Sequence, residues 1–296
     1  MDKVWAYDKK NKYKVFFDIT KNKERIDYFF NLHNNLSLYF LNPFILKARK
    51  VFQYKKDAKL HAVLNFAKTY SCDLNKSDLQ SDMLFDNDCT ELLKKYNLSE
   101  NGFICFAIGV GSARPHRGWP FEKWLALTKK IFSLSKKLKI VFLGGESEKG
   151  VIDSWVKFSR DVSSGSEIPE IIPEYKGRLL TLAGRLSLSQ NADLISRSLM
   201  LVSCDTGLLH LGAALSKKII GIYGPTLPER TGPFAEDCIL IQSENCKCIN
   251  KYFDIKKCKL TCFASGYCMN NLSADEVCEK IILALKQSSN KHVSIM

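Results

Sequence analysis

An alternation running from residue 103 to residue 223 constrains this chain more than any other feature. A short apolar run ends in a glycine-bearing turn, an amphipathic segment follows, and the pattern begins again. Runs that are apolar at every position belong to strands covered on both faces. Strands separated by helices belong to a parallel sheet with right-handed crossovers. The predicted strands are residues 103–110, 139–143, 179–182, 199–203 and 218–223. The predicted helices are 121–132, with Pro120 at its first position, then 147–158 and 207–215. Two capping boxes mark further helix starts: Ser187 with Gln190, and Ser273 with Glu276, the latter opening a helix to residue 285. Upstream, residues 14–19 and 38–41 read as strands, and 24–36, 57–70 and 91–98 as helices; the Ser/Asp/Asn-rich stretch 71–89 reads as a linker.

The length of 296 residues predicts two domains, residues 1–100 and 101–296. With 46% hydrophobic and 25% charged residues, general disorder is excluded. No apolar run approaches the roughly 20 residues of a membrane span. Residues 1–13 are polar and Lys-rich, without the apolar stretch of a signal peptide, so a cytoplasmic location is expected. The formal net charge is +13, and residues 1–60 hold 14 Lys and Arg against 6 Asp and Glu. That excess suits a solvated Lys-rich surface or one that meets phosphates, as on nucleic acid or lipid head groups.

In parallel sheets, ligands bind beyond the carboxyl ends of the strands, so the turns there carry the chemistry. In the first, two glycines leave backbone open to a ligand, and Arg114, His116 and Arg117 place positive charge before a helix. In Asp205-Thr-Gly-Leu-Leu-His210, a strand feeds a helix. The amides at Thr206 and Gly207 suit a diphosphate, and Asp205 can reach sugar hydroxyls. His210 faces back toward the same turn. The rival readings are an ordinary N-cap for Asp205 and a partly buried structural histidine for His210. The last turn, Gly224-Pro-Thr226, is predicted to line the same crevice.

These motifs, in this order, resemble the C-terminal domain of glycosyltransferase family 9, the bacterial heptosyltransferases of lipopolysaccharide core assembly. The pieces are Arg117-Gly-Trp-Pro, Leu143-Gly-Gly-Glu-Ser-Glu148, Leu182-Ala-Gly-Arg-Leu-Ser187, Asp205-Thr-Gly-Leu-Leu-His210, Gly224-Pro-Thr226 and Cys268-Met-Asn-Asn-Leu-Ser. The resemblance implies an α/β, GT-B-like fold of two Rossmann-like domains with parallel sheets. It implies inverting, metal-independent transfer of heptose from ADP-heptose to the lipopolysaccharide inner core or Kdo-lipid A, with peripheral contact at the inner membrane and no nucleic acid. Carried over by motif, Asp205 contacts the sugar, Thr206 and Gly207 bind the diphosphate, His210 supports that turn, and Arg117 lies near the phosphates. Glu148, or failing that Glu146, reaches the ribose, and Thr226 completes the substrate-binding set. The family's first strand and its loop bearing the acidic general base have no counterpart before Lys14. An incomplete N-terminal domain is therefore expected, with the general base unassigned. The alternative function is a catalytically inactive nucleotide-sugar-binding remnant.

Five cysteines crowd one stretch: Cys246, Cys248, Cys258, Cys262 and Cys268. Their thiolates suffice for a tetrahedral structural Zn or Fe site, the rival being a reduced cysteine-rich loop. No cofactor is expected to be required for transfer. A zinc-ribbon-like nucleic-acid binder is the weakest reading, since no aromatic and basic recognition platform accompanies the cysteines.

Overall fold

A computed structural model describes residues 28–31, 50–53, 60–69, 90–111, 115–150, 152, 175, 177–243 and 268–289. The chain divides into two compact units, Met1–Leu74 and Asn75–Met296. In the first, strands β1 (Tyr28–Asn31) and β2 (Lys50–Gln53) pair in parallel, with Tyr28 opposite Lys50. The helix expected over residues 24–36 is thus corrected to a strand at 28–31. The run Tyr-Phe-Phe there is strand-favouring, and pairing with β2 outweighs the helical spacing around it. Helix α1 (Ala62–Thr69) lies inside the expected helix 57–70, and His61 Nδ1 accepts the Val63 amide at its start. The expected strands at 14–19 and 38–41 and the linker at 71–89 lie outside the described residues.

The second unit is built on a six-stranded parallel sheet in the order β5-β4-β3-β6-β7-β8. The strands are β3 (Phe103–Ala107), β4 (Lys139–Leu143), β5 (Leu179–Thr181), β6 (Met200–Cys204), β7 (Ile219–Tyr223) and β8 (Cys238–Gln242). Helix α2 (Thr90–Lys95) precedes the sheet. The crossovers carry α3 (Phe121–Leu134), α4 (Leu188–Arg197), α5 (Gly207–Ala214) and the short α6 (Pro228–Thr231), and α7 (Ala274–Ser289) closes the chain. Strand β8 and helix α6 carry no clear sequence signal, and Pro120 stands at the N-cap of α3 rather than at its first turn. The helix expected over 147–158 is helical at 146–150, and its later part lies mostly outside the described residues.

The side chains of β3 show how the sheet is held. Ile104 and Phe106 point to one face, where Trp124, Leu127 and Ile131 of α3 and Val277 and Ile281 of α7 cover them. Phe103, Cys105 and Ala107 point to the other, against Leu194 and Ile195 of α4 and Leu93 of α2. All five are essentially inaccessible to water. Burying a large apolar side chain in this way contributes about 1.5–3 kcal/mol. The chain leaves β3 toward β4 and β5, then returns to the other side of β3 with β6, β7 and β8. That reversal opens a crevice at the carboxyl ends of β3 and β6.

Both predicted capping boxes form. Ser187 Oγ accepts the Gln190 amide while Gln190 Oε1 accepts the Ser187 amide. Ser273 Oγ accepts the Glu276 amide, and Glu276 Oε2 accepts from the Ser273 amide and hydroxyl. The hydrogen bonds from Ser273 hold the Glu276 carboxyl below its ordinary range. A group with a depressed folded pKa contributes stability above its unfolded value and loses it as pH falls through the folded one. Ser273→Ala is therefore expected to lower the unfolding free energy at pH 7 by about 1 kcal/mol in urea titrations, with an unchanged m-value. The difference from the parent should shrink as pH falls below about 4.

Candidate functional site

The crevice at the switch point is a cavity of about 510 Å³. Its walls come from three turns: Gly109, Val110 and Gly111 after β3, Gly144 and Gly145 after β4, and Asp205–Leu208 after β6. Arg117, Glu148 and His210 complete it.

Asp205 follows directly on β6, with a side chain only 6% exposed. A carboxylate this deeply placed must be compensated. The Arg117 guanidinium does so, with Nη1 2.8 Å from Asp205 Oδ2. Arg117 reaches Asp205 from a short 3₁₀ turn, Pro115–Arg117, two residues before Trp119. The Trp119 amide donates to Cys204 Sγ, and its indole donates to the Leu272 carbonyl. Complete burial pushes the Cys204 thiol up to about 12, so it stays protonated beneath the site and is no nucleophile.

Asp205 is not the helix cap. Thr206 is the N-cap of α5, in extended backbone, and α5 has no side-chain cap hydrogen bond. The first amides of the helix therefore keep their donors and the positive end of the dipole for whatever enters the cavity. A Cβ built on Gly207 would meet no protein atom within 4 Å. No contact within the fold requires glycine there. His210, one turn into α5, places Nε2 4.0 Å from Asp205 Oδ1 and is about half exposed. Desolvation lowers its pKa below the ordinary value; the Asp205 charge opposes this and the Arg117 charge adds to it. His210 is thus neutral near pH 7.

Glu148 accepts from three donors. Its Oε1 accepts the Gly111 amide at 3.1 Å and the Ser147 hydroxyl at 2.7 Å, and its Oε2 accepts the Gly145 amide at 2.8 Å. One carboxylate thereby ties the turn after β3 to the turn after β4. Gly111 adopts φ +70°, which a side chain would strain. A Cβ on Gly109 would lie 2.5 Å from the Glu148 side chain, so that glycine makes room for the clamp. The signal was present in the sequence: a glutamate three residues after a glycine, at a helix start, is the reach-back half of a capping box. One acceptor position on Oε2 remains for a ligand hydroxyl.

The fold thus brings Arg117, Glu148, Asp205, Thr206, Gly207 and His210 to one cavity. Thr226 is buried and does not line it. Glu146 pairs with Lys149 and also stands apart from the lining. Of the cysteine cluster, Cys268 is buried, while Cys246, Cys248, Cys258 and Cys262 lie outside the described residues. Among the described residues no group of three or more His, Cys, Asp or Glu is placed to hold a metal ion. No described helix is long and apolar enough to cross a membrane.

An uncapped helix start, a buried Asp–Arg pair and facing glycine turns meet at the switch point of a doubly wound parallel α/β sheet. Residues 45–259 match glycosyltransferase family 9 (heptosyltransferase), and the chain belongs to that family. It is 27% identical over 158 residues to lipooligosaccharide heptosyltransferase 2 of Haemophilus influenzae, a match covering 51% of this chain and 41% of that protein. The chain therefore spans about two fifths of the length of that curated relative. Among solved structures it resembles the E. coli ADP-heptose lps heptosyltransferase II, with a TM-score of 0.64 and 19% identity over 93% of this chain and 81% of that one. It also resembles E. coli heptosyltransferase WaaC with ADP, with a TM-score of 0.58 and 17% identity over 93% and 78% of the two chains. The fold is that of the GT-B heptosyltransferases.

Glu148→Gln should loosen the two glycine turns, because a carboxamide offers one acceptor oxygen where three donors now meet two. The expected outcome is faster amide hydrogen exchange at Gly111 and Gly145, with no change in the strands of the sheet.

Proposed function

We propose that this chain is a glycosyltransferase that binds ADP-heptose in the cavity at the switch point and transfers the heptose to the lipopolysaccharide inner core. The observation that carries this reading is the uncapped start of α5 beside the buried Asp205–Arg117 pair. A diphosphate seats on the free amides of Thr206, Gly207 and Leu208, where the helix dipole favours negative charge. Asp205 accepts from sugar hydroxyls, and Glu148 uses its remaining lone pair on the ribose. The proteins that this chain resembles support the donor and the acceptor: they include a lipopolysaccharide heptosyltransferase 2 of Salmonella typhimurium, an E. coli ADP-heptose lps heptosyltransferase and an E. coli heptosyltransferase bound to ADP.

In this reading, transfer is an inverting, in-line displacement at the anomeric carbon. The acceptor oxygen forms its bond as the bond to the bridging phosphate oxygen breaks. Negative charge grows on the departing nucleoside diphosphate, and the α5 amides and the Arg117 guanidinium stabilise it. Both groups are already fixed before the donor arrives, which lowers the reorganisation needed during reaction. These protein donors take the place of a divalent cation, so turnover is expected to persist in excess EDTA. The acidic general base remains unassigned. The basic residues 1–60 suit a phosphorylated, Kdo-bearing lipid acceptor at the cytoplasmic face of the inner membrane. Residues 1–100 are assigned to the acceptor side and residues 101–296 to the donor.

Calorimetric titration of the full chain with an ADP-sugar tests the site. Asp205→Ala should weaken binding at least tenfold. Gly207→Ala should do the same with an unchanged or raised melting temperature, because its Cβ meets no protein atom and alanine favours helix. Unaltered affinity in both variants contradicts the site. Radiolabel transfer to a Kdo-lipid acceptor tests the reaction, and donor binding without turnover would favour an inactive nucleotide-sugar-binding protein.

The pH dependence follows from His210. Its pKa is depressed in the free protein, and a diphosphate beside it raises that pKa, so binding takes up a proton. Affinity for an ADP-sugar, whose diphosphate diester does not titrate between pH 5 and 8, should rise as pH falls from 8 to 6. His210→Gln should flatten that dependence.

A further inference from the structure

Thr206 is the N-cap of α5, with φ −136° and ψ 170°. From such extended backbone a threonine hydroxyl ordinarily turns over its own helix and accepts the amide two or three residues on. Thr206 makes no such bond. Its Oγ1 lies instead 3.1 Å from Ser203 Oγ. Ser203 is completely buried near the end of β6, and its hydroxyl also donates to the Cys204 carbonyl at 2.8 Å. A buried hydroxyl fixed in this way makes a rigid anchor. With the Ser203 proton committed to that carbonyl, Thr206 is the donor of the pair.

We propose that Ser203 is a positioning residue for the anion cradle: by engaging Thr206 it keeps the cap hydroxyl off the α5 amides and leaves those amides to the diphosphate. This deepens the donor-binding reading and rests on it. The helix gives up a stabilising cap, and the cavity gains open donors. Ser203 touches no ligand and acts only through Thr206.

The role predicts an opposition between stability and binding that a purely structural serine would not show. In the full chain, with ADP as the probe, Ser203→Ala frees Thr206 to cap its own helix. ADP affinity should fall at least fivefold while the melting temperature holds or rises. In a Thr206→Ala background no hydroxyl remains to be restrained, so adding Ser203→Ala should change ADP affinity less than twofold. Ser203→Cys keeps the volume, loses most of the hydrogen bonding, and carries the same expectation should the alanine variant not fold. The proposal is overturned if Ser203→Ala binds ADP like the parent, or if it costs the same in both backgrounds. Failure of the donor site itself looks different: the parent would not bind ADP, or Gly207→Ala would leave its binding unchanged.

Discussion

Strands β3 to β7 of the six-stranded sheet are covered on both faces, and the rest of this unit follows from that constraint. A sheet whose middle strand has no water-accessible side chain leaves no place for charge along its length. Polar groups are driven to the strand ends. At the carboxyl ends of β3 and β6 the reversal of strand order keeps the flanking turns apart, so a cavity forms instead of a packed seam. The cavity is a consequence of topology before it is a feature of any one residue.

Within that cavity, charge is balanced by few groups. Arg117 neutralises Asp205 and so permits a carboxylate that is almost wholly buried. Glu148 meets backbone amides that would otherwise lack partners, and by doing so fixes two turns that are distant in the sequence. The amides of α5 are treated in the opposite way and receive no cap. One set of donors is satisfied internally and serves as scaffold, while the other is held open. That contrast distinguishes the two sets more sharply than residue type does, since both are backbone N–H groups beside glycine.

The local signals were largely legible. Both capping boxes form at the serines that announce them, and β4 spans the predicted residues 139–143. Strand β3 stops at Ala107 rather than continuing through Val110, because Gly109 and Val110 turn away to line the cavity at the switch point. The segment around residues 28–31 misled because apolar spacing in a short stretch fits helix and strand alike, and pairing with β2 decided between them. Strand β8 reads ambiguously for the same reason; it is an edge strand, half exposed and next to a single partner.

By itself, the sequence determined that residues 103–223 form a parallel α/β sheet, where its helices begin, and which turns carry glycine, charge and helix starts. These properties rest on hydrogen bonds and periodicities spanning a few residues. Only the tertiary structure decided which turns meet. Strand order brings Arg117 to Asp205 and Gly111 to Glu148, leaves Thr226 outside the cavity, and sets Ser203 against Thr206 in place of a helix cap. Periodicity reports which face of an element is buried; it carries no information about which neighbour covers it, and the chemistry of this site is a matter of neighbours.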